Sequence, residues 1–123
     1  MVLDGAHNPA GARALAGYIR EFFAEEPVRI IFGAMRDKAV DEVTNMLFPL
    51  AKEIILTAPD QPRALNPQAL AELVTATEGT VIRLADSVRA ALKMAAEMDR
   101  ERAMTTFVTG SLFMVGEARK CLG

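Results

Sequence analysis

A chain with one cysteine, one histidine, one tyrosine and no tryptophan among its 123 residues has few ways to staple or metallate itself. Cys121 alone cannot close an internal disulfide, and one Cys with one His cannot supply the four ligands of a structural zinc site. No histidine lies near Cys121 in sequence to activate it, so it reads as an incidental thiol. Charge of one sign is also lacking. A net charge of -2, from 14 basic and 16 acidic residues interspersed along the chain, gives neither nucleic acid nor a membrane surface a footprint. Apolar runs fall well short of the ~20 residues of a membrane span, and no charged-then-apolar leader precedes Leu3, so the expected location is cytoplasmic. No glycine- or serine-rich linker divides the sequence. Its length and 51% hydrophobic content predict one domain with a real core.

Familiar catalytic signatures are missing as well. There is no G-x-x-x-x-G-K-S/T phosphate loop and no G-x-G-x-x-G fingerprint, so the chain has no self-contained means of cradling a triphosphate. Ser111 and His7 are joined by no nucleophile-elbow motif. An autonomous enzyme is not the expectation.

What the sequence does have is rhythm. Apolar, β-branched runs begin near Val2, Val28, Ile54, Val81 and Thr106, at separations of 26, 26, 27 and 25 residues, which is the pace of repeated βα units. Between them Ala12, Leu15, Ala16, Ile19 and Phe22 follow helical spacing, as do Val88, Leu92, Ala95 and Met98. A second helix is predicted from Lys38 to Leu47, stopping near Pro49, and a third from Asn66-Pro67, with Asn as cap and Pro at the first position. The runs Ile30-Ile31-Phe32, Ile54-Ile55-Leu56, Val81-Ile82 and Phe107-Val108 are continuous rather than alternating, which predicts strands buried on both faces. Residues 57 to 65, with Pro59, Asp60, Gln61 and Pro62, read as an exposed loop. The predicted fold is α/β: a three-layer α/β/α domain around a mostly parallel, Rossmann-like sheet.

Four polar clusters follow the predicted strands: Asp4 to Asn8, Gly33 to Lys38, Asp60 to Arg63, and Thr109 to Ser111. All should open on the carboxyl edge of the sheet, where open α/β sheets bind ligands. The first is the richest. Residues 1 to 4 read as a strand, Gly5 frees the backbone to turn, Asn8 caps the next helix and Pro9 starts it. Asp4 and His7 then stand beside a helix N-terminus that favours anions. Each cluster also has a plain structural reading: Ser111 as the cap of the last helix, Asp37 as a helix-dipole partner, Arg63 as a solvated loop residue, His7 as a polar residue before a helix.

Several of these segments are ordered as in one known family. Leu3-Asp4-Gly5-Ala6-His7-Asn8-Pro9, Phe32-Gly33-Ala34-Met35 with Asp37-Lys38, Pro62-Arg63-Ala64, and Thr109-Gly110-Ser111-Leu112-Phe113-Met114-Val115-Gly116-Glu117 together resemble the C-terminal domain of folylpolyglutamate synthase. The likeness includes its bifunctional form with dihydrofolate synthase activity, in the Mur ligase superfamily. It implies a fold like the Mur ligase C-terminal domain over residues 1–123, and an ATP-dependent amide-forming ligase of which this chain is one domain. An N-terminal ATPase domain of the same enzyme, carrying the phosphate loop, is the implied partner; ATP and Mg2+ are the implied cofactors, held mainly there. In such enzymes a folate or dihydropteroate carboxylate is phosphorylated and the amino group of glutamate attacks the acyl phosphate.

Carried over residue by residue, the resemblance implies Asp4 at the nucleotide ribose, His7 at the phosphate end and the incoming glutamate as the catalytic residue, and Asn8 supporting that turn. Asp37, Lys38 and Ser111 are implied to receive glutamate, with Arg63 as a further anion contact; no metal ligand is assigned. Ala39 departs from the pattern, standing where the family often has a second acidic residue. Because Met1-Val2 lies almost on the first strand, the chain is expected to be an excised domain, catalytically silent alone. The matching domain of a peptidoglycan Mur ligase and a non-catalytic nucleotide-binding module are the alternatives.

Overall fold

The computed structural model describes residues 1–37, 39–74 and 79–123. Strands β1 (Val2–Leu3), β2 (Val28–Phe32), β3 (Glu53–Leu56), β4 (Val81–Leu84) and β5 (Thr105–Thr109) alternate with helices α1 (Pro9–Phe22), α2 (Val40–Leu47), α3 (Pro67–Leu73), α4 (Val88–Asp99) and α5 (Leu112–Leu122). The five strands form one sheet in the order β1-β5-β2-β3-β4, and each described pairing is parallel. The register sets Leu3 beside Val108, Ile31 beside Val108 and Ile55, and Ile54 beside Ile82.

Period-two alternation divides the strand side chains between two cores. Ile30, Phe32, Ile54, Leu56 and Phe107 pack with Ala12, Leu15 and Ile19 of α1, Val43 and Leu47 of α2, and Leu70 of α3. Ile31, Ile55 and Val108 pack on the other face with Val88, Ala91, Leu92 and Ala95 of α4 and Met114 and Ala118 of α5. The expected three layers are present, with α1, α2 and α3 on one side of the sheet and α4 and α5 on the other.

Local chemistry sets the helix starts. Asn8 Oδ1 accepts from the Gly11 N–H at 2.8 Å and Asn66 Oδ1 from the Gln68 N–H at 2.7 Å, each with proline at the first helical position. Ser87 and Ser111 cap α4 and α5 in the same way. The second helix differs from expectation: α2 begins at Val40, with Ala39 at its cap position and no side-chain cap bond, and Lys38 lies outside the described residues. The helix ends at Leu47, as expected ahead of Pro49, which sits within a 3-10 turn, Phe48–Leu50.

Three expectations of burial need correction. Val81 of the expected buried run is 40% exposed because β4 is the sheet's edge strand; Leu84, on the opposite face beside the seven-residue α3, is 41% exposed. Phe22, placed on the apolar stripe of α1, is 60% exposed at the helix end, where it stacks on Tyr18 at a 5.0 Å ring separation. The segment after β3 is not uniformly solvated: Thr57 and Pro59 are buried, and Ala64 forms an isolated antiparallel bridge with Met35.

Candidate functional site

Helices leave neighbouring strands on opposite sides of the sheet where β5 sits between β1 and β2. α1 follows β1 and α2 follows β2 onto one face, whereas α5 follows β5 onto the other. Diverging loops open a crevice at the carboxyl ends of such strands. A crevice of about 180 Å³ lies there, lined by His7, by Phe32, Ala34, Met35 and Asp37 after β2, by Val40 and Val43 of α2, and by Gly110, Ser111, Leu112 and Phe113 after β5.

Close backbone approach makes this geometry possible. Gly110 has φ +112°, and a Cβ there would collide with the Gly33 carbonyl oxygen. At Gly33 a Cβ would lie 2.9 Å from the Thr57 carbonyl oxygen. The Gly110 N–H donates to the Ala6 carbonyl at 3.1 Å and the Gly33 N–H to the Thr109 carbonyl at 3.3 Å, so the exits of β1, β5 and β2 are joined laterally.

Within the first cluster, Asp4 Oδ1 accepts from the Ala6 N–H at 2.9 Å, which holds the turn after β1. His7 is exposed, with Nδ1 2.9 Å from the Gly5 carbonyl oxygen. A carbonyl can only accept, so this contact assigns the proton to Nδ1 and turns Nε2 outward. Nε2 then offers a lone pair when the ring is neutral and an N–H when it is cationic. Asn8 Oδ1 is committed to the cap of α1. Ser111 Oγ accepts from the Met114 N–H at 3.0 Å, and its own O–H is left to donate. Asp37 is exposed and accepts from the Ala39 N–H at 2.9 Å, so it shapes the turn ahead of α2 rather than capping the helix.

Of the residues singled out from sequence, His7, Asp37 and Ser111 line one crevice. Asp4 and Asn8 belong to the same turn but do not line it, their carboxylate and amide oxygens being bound to local backbone. Arg63 is exposed on the loop after β3 and does not line it either; among the described residues its carbonyl is tied in, accepting from the Arg36 N–H at 2.8 Å. Asp60, from the same cluster, lines a different groove with Glu117, Arg89 and Lys120. The four clusters thus do not all meet at one crevice.

The family model for the Mur ligase, glutamate ligase domain matches residues 1–112. The chain belongs to this family. The folylpolyglutamate synthase of Lacticaseibacillus casei is 33% identical over 123 residues, an alignment that covers 99% of this chain and 27% of that protein. A probable bifunctional folylpolyglutamate synthase/dihydropteroate synthase of Haloferax volcanii is 32% identical, covering 97% of this chain and 14% of that protein. The crystal structure of Mycobacterium tuberculosis folylpolyglutamate synthase complexed with ADP and AMPPCP shares the fold at a TM-score of 0.87 and 31% identity, over 98% of this chain and 29% of that one. This glutamate ligase domain therefore spans 14 to 29% of the length of these relatives.

Sequence reasoning passed over the apolar lining of the crevice. Leu112 and Phe113 are 68% and 47% exposed at its mouth although they open an amphipathic helix. The signal was in the chain: two large apolar residues directly after a cap serine occupy the first turn of α5, beyond the sheet edge. Among the described residues no group of three or more His, Cys, Asp and Glu could hold a metal ion. No helix described is long and apolar enough to cross a membrane.

Proposed function

We propose that this glutamate ligase domain is the C-terminal part of an ATP-dependent folylpolyglutamate or dihydrofolate synthase, and that its crevice forms one side of a site completed by an ATPase domain. The observation that carries this reading is the meeting of His7, Asp37 and Ser111 at the switch between β1, β5 and β2 in a chain of this family. A volume of about 180 Å³ is smaller than the ~300 Å³ or more of a complete small-molecule pocket, as suits a half-site. Relatives solved with ADP, AMPPCP, AMPPNP or Mn ion support nucleotide and metal in the whole enzyme. Mg2+, as the resemblance implies, would be held mainly by the ATPase domain, through one or two carboxylates and the nucleotide phosphates.

When bound, MgATP would supply the phosphoryl group that converts the folate or dihydropteroate carboxylate to an acyl phosphate, leaving ADP; attack of the glutamate amine on its carbonyl carbon would form the amide and release phosphate. This domain's residues serve the charge and alignment that such transfer needs. His7 Nε2 donates to anionic oxygen in the cationic ring, or takes a proton from the incoming amine in the neutral one. The Ser111 hydroxyl donates to a glutamate carboxylate while its lone pair holds the first turn of α5. Asp37 receives the ammonium side of glutamate, with Lys38 and Arg63 as cationic contacts for its carboxylates. Asp4 offers its second carboxylate oxygen to ribose hydroxyls, and Asn8 keeps the His7 turn in place. Closure of this domain over the ATPase domain brings the two halves together.

Glutamate-dependent ATP hydrolysis tests the proposal. The isolated chain is expected to be silent and the complete ligase active with folate or dihydropteroate. Turnover by the chain alone, or by the complete enzyme only with a nucleotide-linked muramyl acceptor, would refute it.

A further inference from the structure

The candidate crevice has two walls of different origin, and one carboxylate outside it connects them. Ser111, Leu112 and Phe113 at the start of α5 form one wall; Ala34, Met35 and Asp37 after β2 form the other. That second wall hangs on the loop of residues 58–65. The Arg36 N–H donates to the Arg63 carbonyl and the Leu65 N–H to the Ala34 carbonyl, both at 2.8 Å, around the Met35–Ala64 bridge. On its far side the loop is fixed by the Asp60 N–H, which donates to Glu117 Oε2 at 2.8 Å. Among the described residues no other side-chain hydrogen bond ties residues 58–65 to another element.

We propose that Glu117 is a positioning residue that sets the width of the crevice. It sits on α5, the helix whose first turn carries the opposite wall, so one rigid element references both sides: directly through Ser111, and through Glu117, Asp60 and the loop to Met35. A carboxylate on a backbone N–H is a strong acceptor for such a clamp. Pro59 and Pro62 restrict the backbone on either side of the held amide, so a single bond defines where the loop lies. The bond is solvent-exposed and joins residues 57 apart in sequence, which suits it to fixing geometry more than to supporting the core. The inference rests on the ligase reading only in taking the crevice as the place where glutamate is received.

Hydrogen–deuterium exchange on the chain reads the clamp without a ligand. Glu117→Ala is expected to raise exchange at the Arg36 and Leu65 amides about fivefold, the weight of one hydrogen bond, with β5 amides unchanged. Glu117→Gln, whose side-chain carbonyl still accepts from Asp60, should restore most of that protection. In the complete ligase, Glu117→Ala should raise KM for glutamate by about fivefold and leave kcat within about twofold. Unchanged exchange at Arg36 and Leu65, loosening of β5 along with the loop, or an unchanged glutamate KM would each overturn the positioning role. Failure of the ligase reading shows separately, as a complete unsubstituted enzyme without glutamate-dependent ATP hydrolysis in the presence of folate or dihydropteroate.

Discussion

Replacing Arg29 with methionine should destabilise the domain by about 3 kcal/mol, although methionine fits a buried strand position better than arginine on hydrophobicity alone. Arg29 lies in β2 with a fully buried side chain. Its Nε donates to Glu53 at 2.8 Å, and its Nη1 donates to Asp99 at 2.7 Å and to Thr106 Oγ1 at 3.0 Å, while Nη2 is buried without a partner among the described residues. Methionine removes the buried cation and the unpartnered nitrogen, which is favourable. It also strands two carboxylates of unequal exposure. The Glu53 side chain is only 15% exposed and loses its ion pair; that of Asp99 is 40% exposed, reaches water and keeps the Met104 N–H at 3.2 Å.

Removing one partner of a buried pair destabilises by about 3–5 kcal/mol, and the hydration left to Asp99 puts the expectation at the low end. The double variant Arg29→Met/Glu53→Leu leaves no buried carboxylate at that position and should recover about 2 kcal/mol of the loss. Urea unfolding followed by circular dichroism is the assay. With a slope of about 2 kcal/mol/M, the single variant should lower the midpoint by roughly 1.5 M and the double variant by about 0.5 M. A single variant as stable as the parent, or a double variant no better than the single, would refute the assignment of the penalty to stranded carboxylate.

Gly110→Ala should cost at least about 3 kcal/mol or prevent folding, since it combines a φ of +112° with a collision against the Gly33 backbone; a wild-type melting temperature would contradict this. Asn8→Ala should remove about 1 kcal/mol by uncapping α1, measured by thermal unfolding, with Asn8→Asp losing much less. His7→Ala should leave the melting temperature within about 1 °C, because the ring is exposed, while lowering the ligation rate of the complete enzyme by 10-fold to 100-fold on the order expected for loss of one proton-transfer or anion-binding group. Steady-state kinetics unchanged by that substitution would remove His7 from the site.

Much of the fold was legible because its signals are short in range. Asn-Pro pairs at 8–9 and 66–67 start helices through bonds spanning two or three residues, and the strands recur at the pace of βα units. The site was legible in part. The glycine turns after β1, β2 and β5 and the polar residues around them follow from strand ends, whereas the wall formed by Leu112 and Phe113 was not singled out, because the exposure of the first turn of α5 depends on where it lies beyond the sheet edge. The Asp60 cluster was assigned to the same crevice because it too follows a strand. Its loop instead leaves β3, one position beyond β2 from the switch, and Asp60 meets Glu117 in another groove.

Periodicity and capping chemistry, both properties of neighbouring residues, determined which segments became strands and helices and placed their polar ends on one edge. Strand order is set by how whole units dock. Inserting β5 between β1 and β2 made the opening beside His7, left Val81 and Leu84 on an edge, and buried Arg29 among partners 24, 70 and 77 residues away. Contacts across such distances depend on which faces bury together, a choice that no local stretch of this chain encodes alone.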